Sequence, residues 1–417
     1  MAARIPPFLL RLRVQNFRSL RHVDLTLQPL NVLVGPNGAG KSNLLDVITF
    51  LGDSVREDLA PALAKRGGYD RVRFRGVDSN GREWVEIEIE AAVTKYGTRT
   101  AADRYTLRFK AVRLTRRSQP GGDLLLVPDR RGLRREESFM FKRTEGRGRR
   151  INITGRDLSI ITDSEPTRNR ILQEGSLGLS TLPRLGPEEG GGSEQVEALA
   201  SLFASFRVFD VNVDAIRKSR DELMSPRLYN DASNLASYMQ HLKEFDPERF
   251  ALLEEDARLF IPGLEELEVG SIGGASTASV VRLREHGLKN LTELAEASYG
   301  SIRAIALLAL LYDPRPPKLT CVEEIDHGLH PYVLDRLVEL LRQASRRTQL
   351  LIATHSPALV NRLEPSELIV CERDEDAGSR IPAISSDYVR KMEYAADGEL
   401  GLGELWFTGA LGGVPNL

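Results

Sequence analysis

The stretch GPNGAGKS, residues 35–42, decides the fold of this chain. It fits the pattern G-x-x-x-x-G-K-[ST] throughout, with the residues Gly35, Pro36, Asn37, Gly38, Ala39, Gly40, Lys41 and Ser42. A short apolar strand at Asn31–Val34 precedes it, and an apolar helix face follows it, with Gly52 as the expected helix end. Because the pattern needs a strand before it and a helix after it, this context argues against a chance glycine-rich turn.

The glycines, lysine and serine of this stretch suit a nucleoside triphosphate. Glycines let the backbone wrap close to phosphate oxygens, and consecutive N–H groups and the helix N-terminus then face the anion. We expect Lys41 to reach the β- and γ-phosphates and the Ser42 hydroxyl to ligate Mg²⁺. The sequence therefore predicts that ATP and Mg²⁺ bind at Gly35–Ser42.

A second apolar strand, Leu319–Val322, ends in two acids, Glu323 and Glu324. In a site of this kind one carboxylate holds the metal ion through water, and another orients or deprotonates the attacking water. We expect Glu323 to serve the metal ion and Glu324 to serve the water. Taken alone, the pair is equally well explained as solvated glutamates at a strand end, and the upstream phosphate-binding stretch favours the catalytic role.

Two further segments are candidates for phosphate contacts. Ala297–Arg303 opens an apolar helix, where Ser298 and Gly300 would expose helix N–H groups to an anion, although an ordinary N-cap is the simpler explanation. His355 follows the strand Gln349–Ala353, and there it would hydrogen-bond the γ-phosphate. A structural histidine at a strand end is the alternative.

Composition excludes several classes of protein. Of the 417 residues 28 % are charged and 41 % hydrophobic, as in globular chains rather than disordered or fibrous ones. Two cysteines, Cys321 and Cys371, are too few for a disulfide framework. The longest apolar run, Ile302–Tyr312, is too short to span a bilayer, and Met1–Leu10 is a poor signal peptide. We therefore expect a cytoplasmic protein without a membrane partner.

Periodicity divides the chain into three segments. Alternating apolar and polar residues predict strands in the first 35 residues and again from Glu83 to Phe109. Glu194–Phe260 has a helical pattern and follows a Gly- and Pro-rich loop at Pro183–Ser193. The last third alternates helices and strands, including a helix at Tyr332–Arg346, which predicts a parallel sheet. We expect domain boundaries that give segments 1–182, 183–290 and 291–417.

The order of these motifs resembles that of the ABC-type ATPase head, and the residues within the motifs are most similar to those of its RecF, SMC and OLD-like branch. Asn16–Leu20 resembles that branch's opening, and Glu323–Pro331 resembles its acidic strand and D-loop. Leu402–Trp406 and Gly412–Pro415 look like endings of predicted bacterial AAA-type ATPases of the branch. The resemblance implies an α/β P-loop NTPase with a mixed sheet, an antiparallel β lobe and a helical lobe inserted between the P-loop and a signature at Ser298–Gly300.

The resemblance also implies a mode of action. In such heads each ATP lies between the P-loop of one subunit and the signature serine of another, so Ser298 and Gly300 would act across a homodimer interface. The metal-side acid is usually Asp, and the extra methylene of Glu323 would alter the metal shell. Tyr299 takes a position where glycine is frequent. For the glutamine loop that senses Mg²⁺, the candidate is Gln173.

The segment Arg104–Arg150 is a candidate DNA-binding surface. It holds 15 Lys or Arg against 5 Asp or Glu, and its arginine pairs include Arg116-Arg117, Arg130-Arg131, Arg134-Arg135 and Arg149-Arg150. Such a surface attracts the charged duplex backbone by releasing counterions. The alternative is a solvated β-meander with arginines outside. Tyr105, Phe139 and Phe141 would then either stack on bases or belong to the core.

Features missing from the sequence narrow the role. Between Lys41 and Ser298 there is no sustained heptad repeat, which is unlike a full SMC protein. The acids of Glu372–Asp376 suit a solvated loop better than a metal site, so we expect any nuclease or toxin to be a separate partner. Repair and anti-phage defence both fit. A transporter ATPase and a nucleotide sensor with little turnover are the rival hypotheses.

Overall fold

Two sheets, one parallel and one antiparallel, carry most of the fold. The computed structural model describes residues 9–76, 84–113, 131–142, 148–161, 167–170, 172–173, 176–184, 194–218, 224–272, 278–397 and 399–414. Its strands are β1 (Leu9–Phe17), β2 (Leu20–Thr26), β3 (Leu30–Val34), β4 (Val85–Ala91), β5 (Asp103–Arg113), β6 (Arg131–Phe141), β7 (Arg149–Thr154), β8 (Asp157–Ile161), β9 (Thr167–Arg170), β10 (Arg207–Phe209), β11 (Leu264–Ile272), β12 (Ala278–Glu285), β13 (Thr292–Glu293), β14 (Leu319–Glu323), β15 (Gln349–Ala353), β16 (Leu368–Val370), β17 (Glu372–Arg373) and β18 (Ser379–Arg380). Its helices are α1 (Lys41–Glu57), α2 (Leu59–Ala64), α3 (Tyr69–Val72), α4 (Gly178–Thr181), α5 (Glu194–Ala204), α6 (Val213–Lys218), α7 (Leu235–Phe245), α8 (Pro247–Phe260), α9 (Tyr299–Leu311), α10 (Leu334–Ala344), α11 (Pro357–Val360), α12 (Ser386–Ala395) and α13 (Leu402–Phe407).

The central sheet contains five parallel strands in the order β10-β14-β15-β3-β16. All residues of β3 and β15 are buried, as expected for parallel strands covered on both faces. Glu323 at the end of β14 lies beside Ala353 of β15, which lies beside Leu33 of β3. The sheet therefore brings the ends of three strands that are distant in sequence to one edge, and the predicted α/β class is confirmed.

The second sheet is antiparallel, with eight strands in the order β2-β1-β4-β5-β6-β7-β8-β9. The apolar residues of β4 are buried and alternate with half-buried glutamates, as the sequence pattern predicts. Tyr105, Phe139 and Phe141 are 0 % exposed and lie in the core. The alternative that these three rings stack on nucleic acid bases is therefore wrong. The central sheet is wholly parallel and not mixed as predicted, and the predicted antiparallel β structure forms this second sheet.

Alternate residues of the central sheet pack into two different hydrophobic cores. Val32 and Ile352 belong to the core that contains the apolar helix α9, whereas Leu33 and Leu351 belong to the core shared with α1 and the antiparallel sheet. The buried Gln349 joins the two sheets. The backbone N–H of Leu9 donates to its Oε1 at 2.9 Å, and its Nε2 donates to the Leu9 carbonyl oxygen at 2.8 Å.

Three local predictions need correction. Gly52 does not end the first helix, because α1 continues to Glu57. A Cβ at Gly52 would lie 3.2 Å from the Phe203 carbonyl oxygen, so the missing side chain serves close packing of α1 against α5. The helix predicted at Tyr332–Arg346 is α10, which follows a 3-10 turn at Pro331–Val333. Glu194–Phe260 is also interrupted by β10, which pairs with β14.

The middle segment contains a hairpin, β11 and β12, that the sequence pattern did not predict. Its register shifts between Leu264 and Glu266, so one extra residue lies on β11 near the start of the hairpin. Because β10 joins the central sheet, the segment 183–290 is connected in space to the segments on either side. Residues 185–193 of the loop predicted at Pro183–Ser193 lie outside the described residues. Among the described helices, none combines the length and apolar character needed to cross a bilayer.

The described residues of the arginine-rich segment Arg104–Arg150 lie mainly on β5, β6 and β7. Residues 114–130, with Arg116, Arg117 and Arg130, lie outside the described part of the chain. Arg104 pairs with Glu90 at 2.7 Å, and Arg108 pairs with acids on the strands on either side. Much of the positive charge on the described strands is therefore balanced by neighbouring carboxylates.

Arg135 has to be removed from the set of candidate DNA contacts. Its side chain is 0 % exposed and pairs with the equally buried Glu137 at 2.9 Å. Glu137 also accepts hydrogen bonds from the Tyr105 hydroxyl at 2.9 Å and the Gly178 N–H at 2.7 Å. Because residues 135 and 137 share the inward face of β6 with the core aromatics, this pair is part of the fold.

We predict that Arg135→Ala lowers the free energy of unfolding by about 3–5 kcal/mol, because it leaves the Glu137 charge buried without its partner. The measurement is urea denaturation followed by circular dichroism. The matched control is Arg134→Ala on the exposed face of the same strand, with an expected change of about 0.5 kcal/mol or less. Equal midpoints for the two variants would contradict a stabilising role for the buried pair.

Candidate active site

A cavity of about 230 Å³ opens where β3, β14 and β15 end. It is lined by Asn37, Gly38, Gly40, Lys41, Ser42, Asn43, Glu323, Glu324, Ala353 and His355. The structure thus brings the phosphate-binding stretch, both acids of β14 and the histidine after β15 together. Ligand sites of open parallel sheets are found at the carboxyl ends of the strands, and this cavity has that position.

The loop before α1 has the backbone conformation of an anion-binding nest. Gly35, Gly38 and Gly40 have φ angles of 151°, 81° and 102°, in a region that side chains other than glycine rarely adopt. A Cβ at Gly40 would lie 2.2 Å from the Ser379 Oγ. The glycine is therefore required both for the turn and for the close approach of β18. Successive N–H groups in such a turn form a concave site for anions.

Lys41, the first residue of α1, is 7 % exposed and points back into the loop. Its Nζ donates to the carbonyl oxygens of Gly35 at 2.7 Å and Pro36 at 3.1 Å. Burial lowers the pKa of Lys41, and the nearby carboxylates of Glu323 and Glu324 oppose that shift. A cation is thus held at the floor of the cavity, within the loop predicted to bind phosphate.

Ser42 and Glu323 meet at the same edge although 281 positions separate them. The Ser42 hydroxyl donates to the Glu323 Oε2 at 2.8 Å. Hydroxyl and carboxylate oxygens are the ligands that Mg²⁺ prefers, and P-loop sites hold it with this Ser/Thr and an acid at the end of a neighbouring strand. The donor set therefore fits Mg²⁺, and the longer side chain of Glu323 does not prevent it from reaching the serine.

Glu324 follows β14 in a left-handed backbone conformation, with φ 49°. Its carboxylate is exposed, and its Oε2 lies 3.4 Å from the Nδ1 of His327. The reversal of the chain after Glu323 turns this side chain toward the cavity opening, where a water molecule can reach it. A carboxylate in this position can accept a proton from water.

His355 stands on the opposite wall of the cavity, just after β15. Desolvation of the ring, and then the nearby Lys41 ammonium, lower the pKa of His355, which favours the neutral ring. A neutral imidazole has one N–H donor and one acceptor nitrogen. The preceding Thr354 donates its hydroxyl to Asp326 of the loop after Glu324, so the two walls of the cavity are connected.

Ser298 and Gly300 do not line this cavity. Ser298 is the N-cap of α9, and its Oγ accepts from the Ser301 N–H at 3.1 Å. A Cβ at Gly300 would lie 2.6 Å from the Gly328 carbonyl oxygen, so this glycine lets α9 pack on the loop after Glu324. The N-cap explanation therefore accounts for Ser298 within one chain.

Some residues that support the cavity through hydrogen bonds could not be identified from the sequence. Asn43 donates its Nδ2 to the Ser19 Oγ at 2.7 Å, and this hydroxyl lies 2.7 Å from the Ser379 Oγ. These contacts fasten α1 to the turn after β1 and to β18. The only sequence signal was the resemblance of Asn16–Leu20 to a family opening, and nothing indicated Ser379.

Two further candidates lie elsewhere. Gln173 is not among the residues that line the cavity, and its carbonyl oxygen accepts a hydrogen bond from the buried Arg135 at 3.3 Å. Glu372 and Asp374 of the segment Glu372–Asp376 bind separate backbone N–H groups. Glu372 accepts from the Gly413 N–H, and Asp374 from the Gly378 N–H. Among the described residues no metal-binding group of acids, histidines or cysteines is found, so the metal alternative for this segment is wrong.

A known protein family matches most of the length of this chain. The family described as "AAA domain, putative AbiEii toxin, Type IV TA system" matches residues 30–361. This range contains the phosphate-binding loop, both acids of β14 and His355. It therefore covers all of the residues that line the cavity.

Similarity to curated proteins is limited to short segments. The chain is 51 % identical over 53 residues to an OLD nuclease of Thermus scotoductus, a match of 13 % of this chain and 9 % of the relative. It is 35 % identical over 77 residues to the DNA replication and repair protein RecF of Actinobacillus pleuropneumoniae, a match of 18 % and 21 %. The matches therefore span about a fifth or less of these relatives.

The fold is similar to that of SMC head domains. The structure of an Smc head bound to the C-winged helix domain of ScpA has a TM-score of 0.50 and 15 % identity, and covers 91 % of this chain and 98 % of that one. An Smc head of Pyrococcus furiosus with an extended coiled coil has the same TM-score and 14 % identity, and covers 94 % and 100 %. At this identity the likeness establishes the fold.

Proposed function

We propose that this chain, which belongs to the AAA-domain family matched above, binds ATP with Mg²⁺ at the cavity and hydrolyses it. The proposal follows from its being an ATPase of the RecF, SMC and OLD type. The observation that carries the proposal is the convergence of Lys41, Ser42, Glu323, Glu324 and His355 on one cavity. A cation, two oxygen donors for a metal ion and a carboxylate base are groups that phosphoryl transfer to water uses, and the imidazole of His355 supplies a further hydrogen-bond donor.

Each of these residues has a separate role in ATP hydrolysis. The loop N–H groups and Lys41 bind the phosphates, and Ser42 and Glu323 hold Mg²⁺, which would neutralise charge on the phosphate oxygens. Glu324 orients a water molecule and accepts its proton. The water oxygen bonds to the γ-phosphorus, the bond from that phosphorus to the β–γ bridging oxygen breaks, and ADP leaves. His355 donates its N–H to the γ-phosphate.

The direct test is single-turnover hydrolysis of radiolabelled ATP by the purified protein, with Mg²⁺ and with excess EDTA. Release of phosphate in the presence of Mg²⁺ alone supports the proposal. Tight ATP binding without measurable phosphate release would favour the rival function of a nucleotide sensor with little turnover. Absence of binding would exclude both.

We also propose that ATP closes a homodimer. Ser298 and Gly300 start the well-packed helix α9 at a surface outside their own cavity, as expected if they face the nucleotide of a second subunit. Helix N-termini favour phosphate because their N–H groups are free and the helix dipole is positive there. The similarity to RecF and OLD proteins supports action on DNA or control of a separately encoded nuclease or toxin. Repair and anti-phage defence remain the two proposed settings, and a membrane transporter ATPase is the rival.

One cluster of cations on the antiparallel sheet is the candidate for contact with DNA. Arg108, Lys110 and Arg134 surround the ring of Trp84, with centroid distances of 5.0, 5.2 and 5.9 Å. Lys110→Glu with Arg134→Glu should weaken binding of a labelled duplex and reduce the slope of log affinity against log salt by about 2. Fluorescence anisotropy measures both. Arg258→Glu on α8 is the control, and an unchanged salt slope in the double variant would place any DNA contact elsewhere.

A further inference from the structure

Arg303 is a charged residue inside an otherwise apolar buried helix. From Ile302 to Leu311, α9 consists of Ile, Ala and Leu apart from Arg303, and its residues pack in the core beneath the central sheet. Arg303 is only 4 % exposed. Among the described residues it has no carboxylate partner, and its Nε has no hydrogen-bond partner. Burying an unpaired cation costs stability, so this residue needs another explanation.

The guanidinium contacts the backbone of both active-site acids. Its Nη2 donates to the Glu324 carbonyl oxygen at 2.6 Å and to the Glu323 carbonyl oxygen at 3.3 Å. Glu324 is the residue with φ 49°, a conformation that costs free energy for a side chain other than glycine. The strongest contact of Arg303 is therefore made to the strained residue whose side chain faces the cavity.

The first turn of α9 packs on the same loop. A Cβ at Gly300 would collide with the Gly328 carbonyl oxygen, and the Tyr299 ring lies 5.5 Å from the His327 ring. His327 in turn lies beside the Glu324 carboxylate. The start of α9 and the segment Glu324–Gly328 thus form one contact unit, in which Arg303 donates hydrogen bonds to the backbone of both acids.

We infer that Arg303 is a positioning residue for hydrolysis. By holding the Glu324 carbonyl oxygen, the guanidinium keeps the chain in the left-handed turn that directs the Glu324 side chain to the water. The inference rests on the proposed function, because it assigns Glu324 the role of base. It also gives α9 a direct connection to hydrolysis, since any shift of the helix start moves Arg303 and the turn together.

A second arginine provides a matched control. Arg347 donates to the carbonyl oxygens of Asp313 at 2.5 Å and Leu311 at 2.7 Å, at the opposite end of the same helix. It has the same chemistry as Arg303, a guanidinium bound to backbone carbonyls, but it lies away from the cavity. Loss of Arg347 therefore reports what an arginine that binds the end of α9 contributes to stability.

The experiment compares wild type, Arg303→Met, Arg303→Lys and Arg347→Met. It measures binding of a fluorescent ATP analogue, single-turnover hydrolysis at saturating ATP, and hydrogen exchange of the His327 and Leu329 amides, which bond within this turn. For Arg303→Met we expect analogue binding within about threefold of wild type and hydrolysis about a hundredfold slower, because a misplaced group costs that much. Arg303→Lys should be faster than Arg303→Met, and Arg347→Met should hydrolyse ATP at the wild-type rate.

Each outcome decides the inference. Hydrolysis by Arg303→Met within about threefold of wild type would overturn it, and so would an equal loss in Arg347→Met or a large loss of analogue binding. If wild type itself releases no phosphate, the proposed function fails. Hydrogen exchange then tests separately whether Arg303 positions the turn at Glu324. Faster exchange at the two amides in Arg303→Met alone supports the positioning of the turn, and unchanged exchange overturns it.

Discussion

Glu324→Gln is expected to bind ATP normally and to hydrolyse it about 10²–10⁴ times more slowly than wild type, the usual contribution of a general base. Glutamine keeps the size and the polar contacts of the side chain, but its amide cannot accept the proton of the attacking water. The loop N–H groups, Lys41 and Ser42 are unchanged, so nucleotide affinity should stay within a few-fold. The measurement pairs single-turnover phosphate release with equilibrium binding of ATP.

The same variant tests the proposed dimer. If hydrolysis reopens the closed state, blocked hydrolysis should make an ATP-bound dimer accumulate, visible as a doubled mass in light scattering. Glu339→Gln is the control, because Glu339 is an exposed glutamate of α10 that pairs with Arg336 away from the cavity. Equal hydrolysis rates in wild type and Glu324→Gln would show that Glu324 is not the base. A monomer with ATP bound would argue against closure by a second subunit.

Lys41→Ala should abolish measurable nucleotide binding. Charge-assisted hydrogen bonds contribute about 1.5–3 kcal/mol each, so loss of contacts to two phosphates corresponds to a decrease of more than about a hundredfold in affinity. A further loss is structural, since the Gly35 and Pro36 carbonyl oxygens lose the donor that holds them. Isothermal titration with Mg-ATP measures the affinity, and circular dichroism checks the fold.

Lys65→Ala is the control for this prediction. Lys65 follows α2, is half exposed and pairs with Glu57, so its loss changes the net charge by the same amount without touching the cavity. Normal affinity in Lys41→Ala would contradict the phosphate role of the lysine. Loss of binding in both variants would mean that general electrostatics, and not this one contact, hold the nucleotide.

The two variants separate binding from chemistry. Lys41→Ala removes the complex, whereas Glu324→Gln preserves it and blocks the reaction. Effects that depend on ATP binding alone, including closure and any contact with DNA or an effector, should therefore survive in Glu324→Gln and vanish in Lys41→Ala. Effects that need hydrolysis should be absent from both. This comparison decides which step is linked to a partner.

The sequence predicted the parts of the site that depend on neighbouring residues. The glycine spacing of residues 35–42 determines a turn whatever the rest of the chain does, and its flanking strand and helix are visible in the apolar pattern. The acids of β14 could be placed for a related reason. The order of the motifs predicted that Glu323 and His355 act with the P-loop, and parallel strands that end at one edge of the sheet explain why they meet there.

The sequence pattern predicted burial poorly for charged side chains that face the core. Arg135 alternates with core residues of β6, but its charge suggested the surface, and burial became evident only from its pairing with Glu137. The same holds for Arg303, which looked like an interruption of an apolar run. Glu137 is only two positions from Arg135, but two charges with this spacing look the same in the sequence whether they face the core or the solvent. The partners of Arg303 are backbone carbonyls, which leave no sequence signal.

By itself, then, the sequence determined a nucleotide-binding loop, the two acids and the alternation of strands and helices, because each follows from residues within a few positions of one another. Tertiary structure alone decided that Ser379 closes on Gly40, that Gln349 joins the two sheets and that Arg303 holds the backbone of Glu324. These contacts join segments separated by 21 to 340 positions. Their existence depends on how the sheets and helices pack, which no local pattern of residues specifies.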